Sequence, residues 1–360
     1  VMAKLHGITM GLDVCATFHM GIGPTELRAL TEHIVVQAAP AYLMAVAGNA
    51  DPMLGYLTTS FREHPRLRRQ TGRQIASAMQ KKLFELSTSA DVLYAAYHKA
   101  GGDTRSLDML RDEGSKKIRA LAERGFDLGY DCDENYDDPP EATARITGIY
   151  SNARRALYAR LDEAVIADSS PRYIRVHTRS SDRDDYLAHP ATGELIDDDD
   201  AARIEALYPV RRPQVQIVIS DGLNANAINE NLRSVLPAIR RELFAAGHHI
   251  GETDIVVENG RVRAGYHVGS LLEAEMLVHL IGERPGTGIN TLSVYLTYGL
   301  DHKGQSRWGS AAGFDHSWTT AVCGIHRRGK PPERAVEEIA RLVNRIFAER
   351  SSGVALQSRR

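Results

Sequence analysis

Between residues 213 and 360, short continuous apolar runs alternate with longer stretches of helical spacing. The runs predict strands: QIVIS from Gln216, DIVV from Asp254, MLVHLI from Met276, TLSVYLTYG from Thr291 and TAVCGIH from Thr320. Leu232, Val235, Leu236, Ile239 and Leu243 recur as on one helix face. A last helix is predicted for PPERAVEEIARLVNRIF, since its two prolines suit a helix start. Strands that alternate with helices favour a doubly wound, Rossmann-like α/β domain.

Residues 1–85 show the same alternation on a smaller scale. LDVCATF and AYLMAVAG are strand-like, and PTELRALTEHIVVQ and the stretch that includes IASAMQKKLFEL are helix-like. Two βα units cannot close a barrel, and their strands need neighbours on both sides. We therefore expect a partial (β/α) barrel end here, the tail of a larger parallel sheet.

Residues 86–171 are richly charged and predict a helical connector before the domain of residues 172–360. Within the connector, D-x-D-x-N-x-D from Asp131 resembles a calcium loop. Tyr136 and Ala142 replace the glycine and the glutamate that such a loop requires, so a solvated acidic loop is favoured. The run Asp197 to Asp200 is interpreted as helix N-terminal charge rather than as a metal site.

Composition narrows the class of protein. The chain has 360 residues, a formal charge of -2 and 43% hydrophobic residues, which is typical of a globular protein without a general attraction to nucleic acid or anionic membranes. A local cluster, Arg62 to Arg73, is predicted to be a solvated helix face. Three widely spaced cysteines fit a reducing cytosol. No apolar run approaches the roughly 20 residues that span a bilayer.

The loop GERPGTG, directly after the strand MLVHLI, is the most site-like feature of the sequence. Its glycines allow close backbone approach to a ligand, while Glu283 can accept hydrogen bonds and Arg284 can donate them. The loop matches neither the P-loop nor the dinucleotide fingerprint, which disfavours a nucleotide-binding protein. No metal site is predicted.

Two other strands end near polar residues. Ser220 to Gly222 and Ala321 to His326 follow or end their strands, so three strand ends are expected to converge on one crevice. Asp221 could equally be a structural turn residue. Cys323 lies inside an apolar strand and is expected to belong to the core rather than to act as a nucleophile.

Four ordered blocks carry a resemblance to a known family. VISDGLNANAI, NGRVRAGYHVG, HLIGERPGTGIN and GIHRRGKPPERA, preceded by SSDRDDYLAHPATGEL, resemble the small subunit of ethanolamine ammonia-lyase. GITMGLDVCATFH and AYLMAVAGNADPMLGYLTTSF resemble the C-terminal end of the large subunit. The chain thus looks like the end of the large subunit joined to the small subunit.

This resemblance implies adenosylcobalamin as cofactor and a radical elimination that converts ethanolamine to acetaldehyde and ammonia. It implies that Val262, Glu283 and a segment around Ala321 and Cys323 contact the cobalamin. It also implies that Asp51 and Met53 face a small amino-alcohol substrate. The expected partners are a large-subunit barrel or a missing N-terminal region, in a hetero- or homo-oligomer in the cytoplasm, with a bacterial microcompartment as one location.

Two departures from the family pattern accompany the resemblance. In the family a substrate-binding aspartate follows the strand that here continues into HMGIGPTEL, where Glu26 is the acidic residue. The other ethanolamine-binding residues lie on earlier barrel strands, so this chain alone is expected not to catalyse. The alternative hypothesis is a non-catalytic cobalamin-binding or assembly subunit.

Overall fold

The computed structural model describes two compact units. Its described residues are 5–17, 20, 22–46, 56–60, 63–74, 77–78, 148, 151–285, 289–309 and 313–357. The backbone divides into Val1–Tyr150 and Ser151–Arg360, here called unit 1 and unit 2. The predicted connector of residues 86–171 lies outside the described residues up to residue 150, apart from residue 148.

Unit 1 has, among its described residues, short strands and two helices of more than two residues. Its elements are β1 (Gly11–Leu12), β2 (Ala16–Thr17), α1 (Pro24–Ala38), β3 (Tyr42–Leu43), β4 (Tyr56–Leu57) and α2 (Glu63–Thr71). β1 pairs with β3 in parallel, as expected for a βα unit, whereas β2 pairs with β4 in antiparallel fashion. The basic cluster falls largely on α2, as its sequence indicated.

Unit 2 begins with helices around its first strand. Residues 151–157 are helical, followed by α3 (Glu163–Ser169), β5 (Tyr173–His177), α4 (Arg183–Ala188), a 3-10 turn (Pro190–Glu194) and α5 (Asp198–Glu205). The Asp197 side chain accepts from Asp199 N at 3.1 Å, which confirms the acidic run as a helix cap. Asp162 caps α3 in the same way, with its carboxylate 2.9 Å from Ala164 N.

The rest of unit 2 follows the predicted alternation. It comprises β6 (Val215–Ser220), α6 (Ala225–Ala245), β7 (Asp254–Glu258), α7 (Val262–Leu272), β8 (Met276–Gly282), β9 (Leu292–Tyr298), a 3-10 turn (His316–Trp318), β10 (Thr319–Ile325), α8 (Pro332–Glu349) and α9 (Val354–Gln357). All five strands that the apolar runs predicted are present. Asn224 caps α6, because its side-chain Oδ1 accepts a hydrogen bond from Asn226 N at 3.2 Å.

One six-stranded sheet organises unit 2, in the order β10-β9-β8-β6-β7-β5. β5, β7, β6 and β8 are parallel, whereas β9 is antiparallel to both β8 and β10. The mixed α/β class and the mainly parallel sheet agree with the prediction. The antiparallel edge arises because the connection of nine residues from β8 to β9, 283–291, has no described helix to carry the chain back across the sheet.

Hydrophobic cores lie on both faces of this sheet. One face packs α3, α6 and α8 against alternate residues such as Ile217, Val278 and Val294. The other packs α5 and α7 against residues such as Val218 and Val257. Alternation of side chains across strands therefore supplies two cores from one sheet. In the described part of the chain, no helix is long and apolar enough to cross a membrane.

Candidate functional site

The carboxyl ends of β6 and β8 lie against each other. Leu223 N donates to Gly282 O at 3.1 Å. A Cβ on Gly282 would lie 2.1 Å from Asn224 O, so a glycine is required at this crossing. The end of β10 joins the same edge through α6, where His326 Nε2 is 3.4 Å from Glu230 Oε2. The three strand ends therefore lie at one edge of the sheet, as predicted, and their sharing of one crevice stays a prediction.

Asp221, at the end of β6, points into the protein rather than toward a ligand. Its carboxylate accepts from Asn259 N and Gly260 N, each at 3.1 Å, and from Arg183 Nη1 at 3.0 Å. Burial raises the pKa of Asp221 to about 6, because desolvation destabilises the carboxylate more than Arg183 and the two backbone amides stabilise it. Asp221 is thus the structural turn residue that the sequence left as an alternative.

Arg183 completes this connection from α4. Its guanidinium lies 4.6 Å from the centroid of the Tyr186 ring, and its Nε donates to Leu157 O at 2.6 Å. Arg261, just before α7, lies 4.3 Å from the same ring centroid. Sequence reasoning missed this network, because nothing in the SSDRDD stretch alone shows which distant carboxylate its arginine will reach.

Val262 begins α7, and the first turns of this helix lie very close to β8. A Cβ on Gly265 would lie 2.4 Å from His279 Nδ1 of β8. His279 Nε2 in turn lies 2.7 Å from Ser220 Oγ. Burial lowers the pKa of His279 to about 3, so its ring is neutral. The position of Val262 is set by this close packing.

Glu283 follows β8, and both its backbone and its side chain are held. Glu283 N donates to Thr291 O at 3.1 Å. The Tyr295 hydroxyl of β9 donates to Glu283 Oε1 at 3.1 Å. Glu283 is half-buried and Arg284 is exposed. The carboxylate therefore stands at the edge of the sheet with one oxygen already bound.

Ala321 and Cys323 lie on the same face of the sheet as Tyr295. Ala321 pairs with Tyr295 across β9 and β10, and Cys323 is two residues further along β10. Both residues are exposed, so the expectation that Cys323 belongs to the core was wrong. The reason is that β10 is an edge strand, in which Val322 faces the core and its neighbours face outward. Partial burial, together with the Glu283 charge, raises the pKa of the Cys323 thiol.

The residues predicted to face the substrate cannot be described as the predicted cobalamin contacts can. Asp51 and Met53 lie outside the described residues, as do residues 286–288 of the glycine loop. Glu26 is described, and its carboxylate accepts from Gly23 N at 2.8 Å at the start of α1. This bond gives Glu26 a structural role as a helix cap. Within the described part of the chain, no cluster of His, Cys, Asp and Glu could hold a metal ion.

Comparison with known proteins assigns the family. A family model described as ethanolamine ammonia-lyase light chain matches residues 138–357. The chain belongs to the ethanolamine ammonia-lyase family. A second model, described as ethanolamine ammonia lyase large subunit, matches residues 1–93. The two matches confirm the order seen in the sequence, with large-subunit-like residues before small-subunit-like residues.

A curated relative supports the same family. The ethanolamine ammonia-lyase small subunit of Clostridium acetobutylicum is 31% identical over 206 residues, which cover 57% of this chain and 79% of the relative. The predicted enzyme class, a carbon–nitrogen lyase of the ethanolamine ammonia-lyase type, is therefore confirmed.

Proposed function

We propose that this chain takes part in the adenosylcobalamin-dependent conversion of ethanolamine to acetaldehyde and ammonia, and that unit 2 covers the corrin. One observation carries the proposal. The family resemblance assigns four residues to the cobalamin, and they come from three separate elements or their ends. Glu283, Ala321 and Cys323 belong to one face of the sheet, and Val262 is on the helix that packs against that face.

Contacts among neighbouring residues link these positions. Tyr266, one helical turn after Val262, has its hydroxyl 2.8 Å from Thr319 Oγ1 at the start of β10. Glu283 is tied to β9 through Tyr295, which pairs with Ala321 of β10. The start of α7, the end of β8 and the face of β10 are thereby held in fixed relation.

The chemistry of this face fits a corrin. Ala321 is small and exposed on a strand, so it lets a wide macrocycle approach the sheet. Glu283 can accept hydrogen bonds from the amide side chains that surround a corrin, and Val262 supplies an apolar edge. These residues would hold the cofactor from one side and keep water from it.

The bound cofactor would supply the radical chemistry, and the protein would supply position and a closed site. In this division of roles, unit 2 binds and orients the corrin. Unit 1 belongs to the substrate side, where we propose that Asp51 and Met53 face the amino alcohol. We further propose that unit 1 packs against other barrel strands of a large subunit, which bring the remaining substrate-binding residues.

The test combines binding with turnover. The full chain is titrated with adenosylcobalamin by visible absorbance and calorimetry, with Glu283→Ala alongside, and acetaldehyde is measured after ethanolamine is added. We expect saturable binding of adenosylcobalamin, and we expect Glu283→Ala to weaken it. Acetaldehyde should form once a large-subunit barrel is present. Binding that never leads to acetaldehyde would favour the non-catalytic cobalamin-binding subunit. No binding in either condition would contradict the proposal.

A further inference from the structure

Tyr295 lies at the centre of the proposed corrin face, although neither the resemblance nor the motifs assign it a role. On β9 it pairs with His279 of β8 on one side and with Ala321 of β10 on the other. Its ring centroid is 6.2 Å from that of His316, whose Nδ1 is hydrogen-bonded with the Tyr266 hydroxyl. Its backbone is therefore fixed by two neighbouring strands, and its half-buried ring lies beside that of His316.

The Tyr295 hydroxyl binds only one of the two oxygens of Glu283. It donates to Oε1 at 3.1 Å, and Oε2 makes no hydrogen bond to the part of the chain that the structure describes. Burial, reinforced by the Glu283 charge, raises the pKa of Tyr295, so the hydroxyl keeps its proton and remains a donor near neutral pH. A phenol that is always protonated and a carboxylate with one free oxygen make a fixed acceptor.

We propose that Tyr295 is a positioning residue that holds Glu283 Oε1 and so directs Oε2 toward the amide side chains of a bound corrin. This inference rests on the proposed function. Without the hydroxyl, the glutamate would sample several rotamers, and binding would carry the entropic cost of ordering it. The role concerns orientation of Glu283 and not the reaction itself.

The same strand offers a matched control. At the other end of β9, the Tyr298 hydroxyl donates to Glu275 Oε1 at 3.0 Å. Tyr298 faces the core on the other side of the sheet from Tyr295, and its ring centroid is 5.9 Å from that of Phe347. Tyr298→Phe therefore removes an equivalent tyrosine–glutamate hydrogen bond from the same strand without touching the proposed corrin face.

The experiment is a double-mutant cycle on the full chain, with the dissociation constant for adenosylcobalamin as the readout. Tyr295→Phe should weaken binding about 3- to 10-fold, the effect of losing one orienting hydrogen bond. In a Glu283→Ala background the same substitution should have little further effect, because the carboxylate that Tyr295 positions is absent. Tyr298→Phe should leave the constant unchanged, while thermal unfolding shows whether each variant remains folded.

The outcomes separate this inference from the proposed function. If wild type and the Tyr298→Phe control bind the cofactor but Tyr295→Phe binds as tightly as wild type, the positioning role is overturned and the corrin site stands. Equal weakening by Tyr295→Phe with and without Glu283→Ala would also overturn it, since the effect would not pass through Glu283. Absence of saturable binding by wild type, both alone and with a large-subunit barrel present, would overturn both.

Discussion

Arg183 and Asp221 form an ion pair that joins a short helix to the end of the central strand, with Nη1 and Oδ2 3.0 Å apart and side chains only 16% and 10% exposed. The parallel strands β6 and β7 send their helices to opposite faces, and such a switch point is where a ligand usually binds. Here protein side chains fill that position. The corrin face that we propose lies to the side, on β8, β9 and β10.

Removal of the Asp221 carboxylate should therefore be costly. Asp221→Ala would leave a largely buried guanidinium without its carboxylate partner and two backbone amides without their acceptor. We expect a loss of about 3–5 kcal/mol in the free energy of unfolding of unit 2, measured by urea denaturation. The control is Asp168→Ala, which removes an exposed pair with Arg233 at 2.9 Å and should cost less than about 1 kcal/mol. Similar losses in the two variants would refute the role of Asp221.

The buried His279 predicts a dependence of stability on pH. Its pKa in the folded state is about 3, against a value near 6.5 for an accessible histidine. Protonation in the unfolded state alone removes stability as the pH falls below 6.5 and continues to do so until the folded-state pKa is reached. This one residue should therefore make the free energy of unfolding fall by at most about 1.4 kcal/mol per pH unit over that range.

His279→Gln isolates this contribution. His267 and His316 also have lowered pKa values, but both remain in the variant, so their effects cancel in the comparison. Between pH 6.5 and pH 5, wild type should lose about 1.6 kcal/mol more than His279→Gln in urea denaturation. Parallel pH profiles for the two proteins would mean that His279 is accessible to protons in the folded state.

Five of the six strands and most helices of unit 2 could be predicted from the sequence because their signals are local, whereas β5 was not predicted. MLVHLIG is apolar apart from His279 and forms a strand buried along its whole length. The acidic run Asp197 to Asp200 caps a helix and fills its first turn, as its charges indicated. Composition and spacing settle such features because a strand or a helix cap depends on residues that are neighbours in the chain.

Features that depend on distant partners could not be predicted. The exposure of Cys323 follows from the edge position of β10, which the apolar run TAVCGIH does not encode. The contact of Asp221 with Arg183 spans 38 residues, and that of Tyr295 with Glu283 depends on the antiparallel pairing of β9 with β8. The positions Val262 and Glu283 came from family resemblance, and the structure supplies the tyrosine that accompanies them.

Unit 1 carries an apolar surface that predicts further packing. A cleft of about 750 Å³ is lined by residues that include Ile8, Val35, Tyr42 and Leu67. Large apolar side chains of this unit are exposed to an unusual degree: Ile8 62%, Val36 52%, Tyr42 58% and Met44 53%. Such a surface on strands that lack further neighbours in the described residues is typical of an interface or of an incompletely covered core.

We expect this surface to drive association until barrel strands cover it. In light scattering, the full chain should self-associate, and the double variant Tyr42→Glu/Met44→Glu should shift toward monomer because buried charge opposes the contact. The control is Val210→Glu in unit 2, at an isolated residue that is 96% exposed, and it should leave the association unchanged. A monodisperse wild-type monomer with cooperative unfolding of unit 1 would contradict the incomplete-barrel interpretation, because a finished core needs no partner.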